Sequence, residues 1–414
     1  PLFKAALLAR TAYSAPLSDA DIDALGLSAA VNARQTSHAI AVPLLNRQQN
    51  LVGVMVLLRK GETDAAQLSF LGALSGSAAV SLEAKALIRA QKLLFEAMIK
   101  LIAGAIDAKS AYTGGHCARV PELTKMLARA ACEQGSGLYK DFSLDEDEWE
   151  AVHVAAWLHD CGKVTTPEYV VDKATKLETL YDRIHEIRMR FEVLKRDAEI
   201  ACLKAIVDGE AVDTVRARLA AELAQLDDDF AFVATCNEGG EFVAPEKQER
   251  LKTIAARTWL RTLDDRAGIS HEEKQRKERT PAPELPTVEA LLADKPEHVF
   301  ERQARDRIAE DNPWGFKMRV PELLYNKGEL YNLAIARGTL AEEERYKINE
   351  HIVQTLIMLT QLPFPKHLRN VPEIAAGHHE KMDGTGYPRR LTRDEMSPVA
   401  RMMAIADIFE ALTA

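Results

Sequence analysis

Cysteine pairs, net positive charge and long apolar runs are all missing from this sequence. Its five cysteines include no Cys-x-x-Cys pair, which argues against a zinc ribbon or a disulfide scaffold and fits a reducing compartment. The net charge of -9 argues against a protein that coats DNA or RNA, although bound metal ions can still attract an anionic nucleotide. No uninterrupted apolar run approaches the ~20 residues needed to cross a bilayer. We therefore expect a cytoplasmic protein that binds no nucleic acid polymer.

The length of the chain predicts two or three structural units, because 414 residues are many for one compact core. The hydrophobic fraction of 47% and the charged fraction of 28% are those of an ordinary globular protein. The chain begins at Pro1 and ends at Ala414 inside a predicted helix. We expect both ends to be cuts in a longer protein, in which an upstream membrane anchor would not be visible.

Residues 1–86 are predicted to form a small α/β unit. Two β-rich runs, 38–45 and 51–58, are separated by the polar turn 46–50, and a helix is predicted from about Asp64. This order resembles the closing half of a GAF sensory domain, whose hairpin precedes a helix that leads to an output module. A generic α/β packing domain without a ligand is the alternative interpretation.

A connecting helix is predicted over 87–110, where Leu87, Leu94 and Leu101 recur every seven residues. This spacing suits a parallel helix pair between two copies of the chain. A helix packed only on its own domain is the alternative.

Residues 173–317 are predicted to form a helical, coiled-coil-like insertion. Apolar residues alternate three and four apart from Leu177 to Ala201, with charged residues between them, and a second helical pattern begins at Val212 after a break at Gly209. We interpret the insertion as a projecting helical hairpin that serves self-association or contacts a signalling partner.

Histidines and acidic residues in five patterned segments point to a metal centre. An adjacent histidine and aspartate end a predicted helix, where both can reach one cation. An aspartate lies in an otherwise apolar helical stretch, which is costly unless it is paired or bound to metal. The five segments contain His116, the pair His159 and Asp160, His351, the pair His378 and His379, and Asp407.

These motifs resemble the HD-GYP branch of the HD phosphohydrolase superfamily, with the blocks 111–172 and 318–414 on either side of the insertion. The signature HH-E-x-x-D-G-x-G-Y-P is complete, and the HDxGK, TGxH..RV and ADxFxALT motifs also match. The resemblance implies a mainly α-helical HD-domain bundle. It also implies that one metal ion is held by His116, His159, Asp160 and Asp407, and that Asp160 bridges to a second ion held by His351, His378 and His379.

The resemblance further implies the chemistry of the site. Two divalent transition metal ions, with iron or manganese favoured because no thiolate is among the implied ligands, activate water and bind phosphoryl oxygens. Asp160 and Lys163 are the expected catalytic residues, and Lys163 would stabilise charge on the phosphate. The loop that borders the substrate would contain Asp383, Gly384, Gly386, Tyr387 and Pro388.

Three features of this chain bear on the resemblance. Members of the family with three metals carry a glutamate where this chain has Tyr112, so two ions are expected. His185 competes with His351 as a ligand, but we prefer His351 because the segment from Leu340 leads directly to the HH motif. The family also continues beyond Asp407 with a basic segment that contacts substrate phosphate, and this chain ends before it.

The sequence therefore predicts an enzyme of bacterial signal transduction that hydrolyses cyclic di-GMP to pGpG or GMP. One alternative is a phosphohydrolase that acts on another cyclic dinucleotide, such as cyclic GMP-AMP, or on another nucleotide. The other is a catalytically weak receptor that binds the dinucleotide or a partner protein.

Overall fold

The computed structural model describes residues 2–18, 22, 26, 38–109, 115–309 and 311–413. The chain divides into two compact units, Pro1–Met98 and Ile99–Ala414. The boundary predicted at residue 86 falls inside one continuous helix, so the first unit extends further along the chain than expected. All five cysteines lie in the described ranges, and each is a free thiol there.

The first unit contains helix α1 (Leu2–Ala9) and an antiparallel sheet of β1 (Tyr13–Pro16), β2 (His38–Leu45) and β3 (Leu51–Arg59), in the order β1-β2-β3. The predicted hairpin joins β2 to β3. The side chain of Asn46 holds its turn by accepting hydrogen bonds from the backbone N–H groups of Gln48 and Asn50, at 3.0 and 2.8 Å. The interpretation of this unit as GAF-like stays a prediction.

Helix α2 (Ala65–Asp107) is 43 residues long. Leu87, Leu94 and Leu101 are 71%, 64% and 72% exposed, so this stripe is not covered by the chain's own core. Among the described segments, α2 alone is long and apolar enough to cross a membrane by length and composition. It contains no uninterrupted apolar run of that length, because serines and a glutamine interrupt its apolar start. Length and composition alone do not make it a membrane span.

The second unit is mainly helical, as predicted. Its N-terminal block contains α3 (His116–Cys132), α4 (Glu146–Leu158), a 3-10 turn (Cys161–Thr165) and α5 (Glu168–Val171). Its C-terminal block contains α10 (Glu329–Leu333), α11 (Glu342–Asn349), α12 (His351–Thr360), α13 (Val371–Ala376) and α14 (Pro398–Thr413). Helix α14 packs on α3, α13 packs on α4, and α12 packs on the 3-10 turn. The two blocks therefore form one helical body despite their separation in sequence.

The predicted helical hairpin of the insertion is present as α6 (Ile184–Val207) and α7 (Val212–Glu238), which pack against each other. The prediction of one apolar seam from Leu177 to Ala201 was wrong. The segment before Ile184 is not helical, Leu180 is 93% exposed, and Cys202 rather than Ala201 is buried near the end of α6. The seam fails at its start because no helix forms before Ile184.

The insertion is neither purely helical nor separate from the second block. It also contains α8 (Pro245–Ala255), β4 (Thr258–Arg261), α9 (His271–Lys277), β5 (Thr287–Ala290) and β6 (Val299–Glu301). Strands β4 and β5 pair with each other, whereas β6 pairs with β7 (Leu323–Asn326), which lies beyond the predicted boundary at 317. Leu333 of α10 is buried in the same core as Leu177 and Phe191. The insertion is thus packed onto the second block.

Candidate metal centre

The histidine and aspartate of the HD motif lie at the C-terminal end of α4. This helix begins with a capping box, in which the Asp145 side chain accepts from the backbone of Glu148 and the Glu148 side chain accepts from the backbone of Asp145. The helix ends at Leu158, so His159 and Asp160 follow where the chain turns into the 3-10 segment. Both side chains are almost fully buried.

Helix α12 lies directly against this turn at Gly162. The backbone N–H of Gly162 donates a hydrogen bond to the Thr355 hydroxyl at 2.9 Å. A Cβ atom at Gly162 would lie 1.9 Å from the carbonyl oxygen of His351, so no other residue fits without movement of the backbone. This close contact brings His351, at the start of α12, next to Asp160.

One oxygen of Asp160 faces the first group of predicted ligands. Asp160 Oδ2 lies 3.3 Å from His116 Nε2 and 3.1 Å from His159 Nε2. Asp407 Oδ1, from α14, lies 3.2 Å from the same His116 nitrogen and 3.8 Å from His159 Nε2. The four side chains therefore direct their ligand atoms into one volume, where a single metal ion can contact them all.

The other oxygen of Asp160 faces the second group. Asp160 Oδ1 lies 3.2 Å from His351 Nε2 and 3.9 Å from His378 Nε2. His379 Nε2 lies 3.2 Å from His351 Nε2, and these three imidazoles form a second cluster with metal-ligand spacing. Asp160 thus lies between two groups of ligands, with one carboxylate oxygen directed to each.

Backbone carbonyl groups fix the orientation of three of these imidazoles. The Nδ1–H groups of His159, His351 and His378 each donate to the carbonyl oxygen three residues earlier, at 2.8, 2.6 and 2.6 Å. A carbonyl oxygen only accepts, so Nδ1 carries the proton and Nε2 keeps a free lone pair. Metal-ligating histidines are commonly oriented by such a bond from the opposite ring nitrogen.

Several buried polar atoms converge on the two clusters without a hydrogen bond from any residue that the structure describes. They are Nε2 of His116, His159 and His378 and Oδ1 of Asp160, whereas Asp160 Oδ2 forms an ion pair with the Lys163 ammonium at 2.7 Å. Buried polar atoms of this kind are costly unless a ligand satisfies them. Imidazole nitrogen together with carboxylate oxygen is a donor set for borderline divalent metals. The residues present therefore fit two metal ions.

The electrostatic environment of the site favours a charged carboxylate and neutral imidazoles. Burial opposes the charge on Asp160, but His159 and Lys163 outweigh it and hold the pKa of Asp160 well below its ordinary value. Burial lowers the pKa of His378 to about 3 and holds the pKa of His379 well below its ordinary range. His116 differs, since bonds to carboxylates overcome burial and raise its pKa to about 10. The first group is thus rich in negative charge and suited to a cation.

Glu410 is a functional residue that the sequence reasoning missed. It is buried one helical turn after Asp407, and its carboxylate contacts Nδ1 of His116 and accepts a hydrogen bond from Nε of Arg119 at 2.6 Å. It therefore orients His116 in the way that carbonyl groups orient the other histidines. Its spacing of three residues from Asp407 on α14 was the signal available in the sequence.

The segment predicted as the substrate loop folds against the second cluster. The ring of Tyr387 stacks on His379, with centroids 4.9 Å apart and an interplanar angle of 18°. Gly386 is required there, because its Cβ would lie 2.2 Å from the backbone nitrogen of Lys381. Glu380 closes the loop by accepting hydrogen bonds from the backbone N–H groups of Arg389 and Leu391, at 2.6 and 2.8 Å.

The other loop residues have different surroundings. Asp383 is exposed and accepts from the hydroxyl and the backbone N–H of Thr385, so its carboxylate holds a turn. Pro388 is buried, and its carbonyl accepts from the backbone N–H of Lys317 at 2.8 Å. A cavity of about 480 Å³ lies beside the loop and is lined by Gly384, Gly386, Tyr387, Arg319, Arg345 and Arg390, among others. The loop therefore borders a cavity with three cationic side chains.

Two further sequence predictions concern residues away from these clusters. His185 lies exposed on α6, where its Nδ1 is 2.8 Å from an Arg188 nitrogen, and it does not contact either ligand group. His351, the preferred alternative, is at the site. Tyr112, on which the prediction of two ions rests, lies outside the described residues.

Comparison with known proteins matches residues 286–414 to the HD domain family. The matched range includes the second ligand group and Asp407, whereas His116, His159 and Asp160 precede it. A 3′3′-cGAMP-specific phosphodiesterase 3 from Vibrio cholerae is 42% identical over 101 residues, which are 23% of this chain and 21% of that protein.

Two further relatives carry a different substrate in their names. A cyclic di-GMP phosphodiesterase from Vibrio cholerae is 35% identical over 104 residues, covering 22% of this chain and 21% of that protein. Another cyclic di-GMP phosphodiesterase, from Pseudomonas aeruginosa, is 33% identical over 97 residues, which are 23% of this chain and 21% of that protein. The chain thus spans about a fifth of the length of these relatives. The match of residues 286–414 to the HD domain family agrees with the resemblance that the motifs indicated.

Proposed function

We propose that this chain is a metal-dependent phosphodiesterase that hydrolyses a cyclic dinucleotide in signal transduction. The observation that carries the proposal is the position of Asp160, with Oδ2 facing His116 and His159 and Oδ1 facing His351 and His378. A carboxylate shared by two ligand groups is the arrangement that a two-metal hydrolytic site needs.

The proposed ligands divide between two ions. His116, His159 and Asp407 would hold the first ion, His351, His378 and His379 would hold the second, and Asp160 would bridge them. Bound iron or manganese would lower the pKa of water to supply a nucleophile and would bind the phosphoryl oxygens. The two ions and their identity are parts of the proposal.

Lys163 is proposed to act on the substrate phosphate. Its ammonium group lies 2.7 Å from Asp160 Oδ2, and the side chain is 27% exposed, so the group reaches from the buried carboxylate toward solvent. Burial opposes its charge, but Asp160 outweighs this and raises the pKa of Lys163, which therefore stays protonated. A fixed cation beside the metal centre stabilises the negative charge that develops on phosphorus-bound oxygens.

The cavity beside Tyr387 supports an anionic substrate larger than a single phosphate. Its volume of about 480 Å³ and its arginines suit a nucleotide, and Tyr387 connects it to the second ligand group through His379. We propose cyclic di-GMP as the substrate, with pGpG or GMP as the product. 3′3′-cGAMP is the second candidate, favoured by the 42% identity to a relative with that specificity.

Two ions rather than three are proposed because of Tyr112. A neutral phenol is a poor ligand for a divalent ion, since its pKa is ordinarily about 10. Without a third ion to hold a terminal phosphate, we expect the second cleavage to be slow and pGpG to accumulate.

Helix α2 is proposed to pair with the same helix of a second copy of the chain. Leu87, Leu94 and Leu101 form a seven-residue repeat in which each side chain is more than half exposed. A repeat of this spacing is buried when two parallel helices supercoil. Such a pair, following the GAF-like unit, would suit a sensory protein.

The proposed activity is tested with the full chain loaded with iron or manganese and supplied with cyclic di-GMP or 3′3′-cGAMP. Products are separated by chromatography, and bound metal is measured by elemental analysis. We expect hydrolysis that is lost in His378→Ala and kept in His185→Ala, which removes a histidine outside the site. Binding of dinucleotide without turnover in the metal-loaded protein would favour the receptor alternative and refute the enzyme.

A further inference from the structure

A second large cavity lies in the insertion, away from the metal centre. Its volume is about 810 Å³, and its walls come from α6, the β4–β5 hairpin, α9 and the β6–β7 pair. None of the proposed metal ligands lines it, and hydrolysis of a phosphodiester at the metal centre does not use it. The residues that line this cavity therefore need a separate explanation.

Four cations that line this cavity have no carboxylate partner in the described chain: Arg183, Arg276, Lys327 and Arg188, which contacts His185 and lies over the ring of Phe230. Arg276 and Lys327 both lie over the ring of Phe300, with the guanidinium carbon and Nζ at 4.4 and 4.9 Å from the centroid. Arg183 donates only to backbone carbonyl groups, those of Leu177 and Lys327, at 3.3 and 2.7 Å. Burial lowers the pKa of Lys327, and Arg183 and Arg276 lower it further, although Glu344 acts in the opposite direction. Like charges held together are destabilising unless an anion joins them.

The other charged groups of the cavity are largely paired among themselves. Glu329 binds Arg190 through two hydrogen bonds of 2.8 and 2.9 Å, and Lys295 lies 2.8 Å from Glu289. Two lining carboxylates are less engaged, because Glu186 is 3.7 Å from Arg190 and exposed, and Glu273 lies in the first turn of α9. The charges of the paired groups cancel, whereas Arg183, Arg276 and Lys327 have no carboxylate within ion-pair distance in the described chain.

Two further donors in the cavity wall are buried and unused. Nε of Arg276 and the indole Nε1–H of Trp259 make no hydrogen bond to the part of the chain that the structure describes. Both groups can only donate, and so can Lys327 and Arg183. A cavity whose buried unsatisfied side-chain atoms are donors, with an excess of positive charge, matches a ligand that offers several anionic acceptor oxygens.

We infer that this cavity is a binding site for a phosphorylated small molecule of nucleotide size. Phosphate oxygens would accept from Arg276, Lys327 and the indole of Trp259, and the charge of the phosphate would relieve the repulsion between the cations. Inorganic phosphate would fill only a small part of 810 Å³, whereas nucleotides and similar metabolites fill pockets of this size. The insertion is then a ligand-binding module in addition to the metal centre.

The site is tested by titrating the full chain with GMP, ATP, cyclic di-GMP and pyrophosphate, using calorimetry and tryptophan fluorescence. Because these probes also suit the metal centre, each titration is repeated in Asp160→Asn. We expect at least one nucleotide to bind in both backgrounds, to change the fluorescence of Trp259, and to bind more weakly in Arg276→Met and in Lys327→Met. Loss of one charge-assisted hydrogen bond predicts a roughly tenfold to hundredfold weakening.

Arg250→Met is the matched control. Arg250 also lies over a phenylalanine ring, that of Phe232 at 4.2 Å, but it is paired with Asp228 and lines a different cavity. Its replacement should leave the affinity unchanged. The inference is overturned if no probe binds at millimolar concentration, if binding disappears in Asp160→Asn, or if Arg276→Met and Lys327→Met bind as wild type does. Pyrophosphate binding as tightly as the nucleotides would overturn the assignment of ligand size.

Discussion

Replacement of Gly162 by alanine should disable the metal centre without touching a ligand. The 3-10 turn at Gly162 lies against the start of α12, and this contact determines how far His351 is from Asp160. The glycine has an ordinary backbone conformation, so the effect of the added methyl group is one of space alone.

The size of the effect follows from the distances. The new Cβ would lie 1.9 Å from the His351 carbonyl oxygen and 2.5 Å from the Thr355 nitrogen, whereas ordinary contact begins at 3.4 Å. The turn or the helix must therefore move by about 1.5 Å, and overpacking of this kind costs about 1–3 kcal/mol of folding free energy. A displacement near 1 Å at a catalytic site lowers the rate on the order of a hundredfold.

The assay compares wild type, Gly162→Ala and the control Gly135→Ala, whose Cβ would have no neighbour within 4 Å. Circular dichroism checks folding, elemental analysis counts metal, and turnover is measured with cyclic di-GMP and 3′3′-cGAMP. We expect Gly162→Ala to lose at least part of its metal and about 99% of its activity, while the control keeps both. A folded Gly162→Ala protein with full metal and full turnover would show that this contact does not position His351.

Three further changes test other parts of the structure. Asp160→Asn should lose most bound metal and nearly all activity while the protein stays folded, and elemental analysis that finds both ions retained would contradict the bridging role. Glu329→Gln should destabilise the protein at neutral pH by up to about 3 kcal/mol in urea denaturation, because Arg190 keeps only the more distant Glu186. Burial opposes the charge on Glu329, but Arg190 outweighs burial and lowers the pKa of Glu329. The ion pair therefore stabilises the folded protein above the ordinary pKa of 4.5, and this stabilisation is lost as the pH falls below that value. The Gln variant should not show this loss of stability in acid. Leu94→Glu should convert a dimer to a monomer in light scattering, whereas Arg89→Glu, on the opposite face of α2, should not.

The segments that contain the proposed metal ligands could be recognised because each is a short motif whose local structure is fixed by nearby residues. The capping box at Asp145 begins α4, and the helix ends at Leu158 before the 3-10 turn. His159 and Asp160 therefore lie at the C-terminal end of the helix. The spacing of motifs along the sequence was not sufficient to decide whether His185 or His351 joins the second ligand group. That choice depends on the fit of Gly162 against α12, which joins residues far apart in the sequence.

The missed residues are those whose roles depend on contact between helices. Glu410 contacts His116 only because α14 packs on α3. From the sequence alone, a glutamate near the end of a helix is expected to be exposed to solvent. Thr355 is a similar case, because its hydroxyl accepts a hydrogen bond from the backbone N–H of Gly162, which lies far away in the sequence. The apolar seam of the insertion was overextended for the opposite reason, because the regular spacing continues through Leu180 although no helix forms there.

Two contacts hold the insertion against the C-terminal block of the second unit. Lys173, at its start, donates to both carboxylate oxygens of Glu344, at 2.9 and 2.7 Å, and both side chains are buried. Glu344 also accepts from the backbone N–H of Ala341 and so caps α11, the helix that leads to His351. At the other end, β6 pairs with β7. Removal of 173–317 would therefore leave Glu344 buried without its cation and β7 without its neighbour. The insertion is a structural part of the second unit, and its function has to be tested by point substitutions that keep these two anchors.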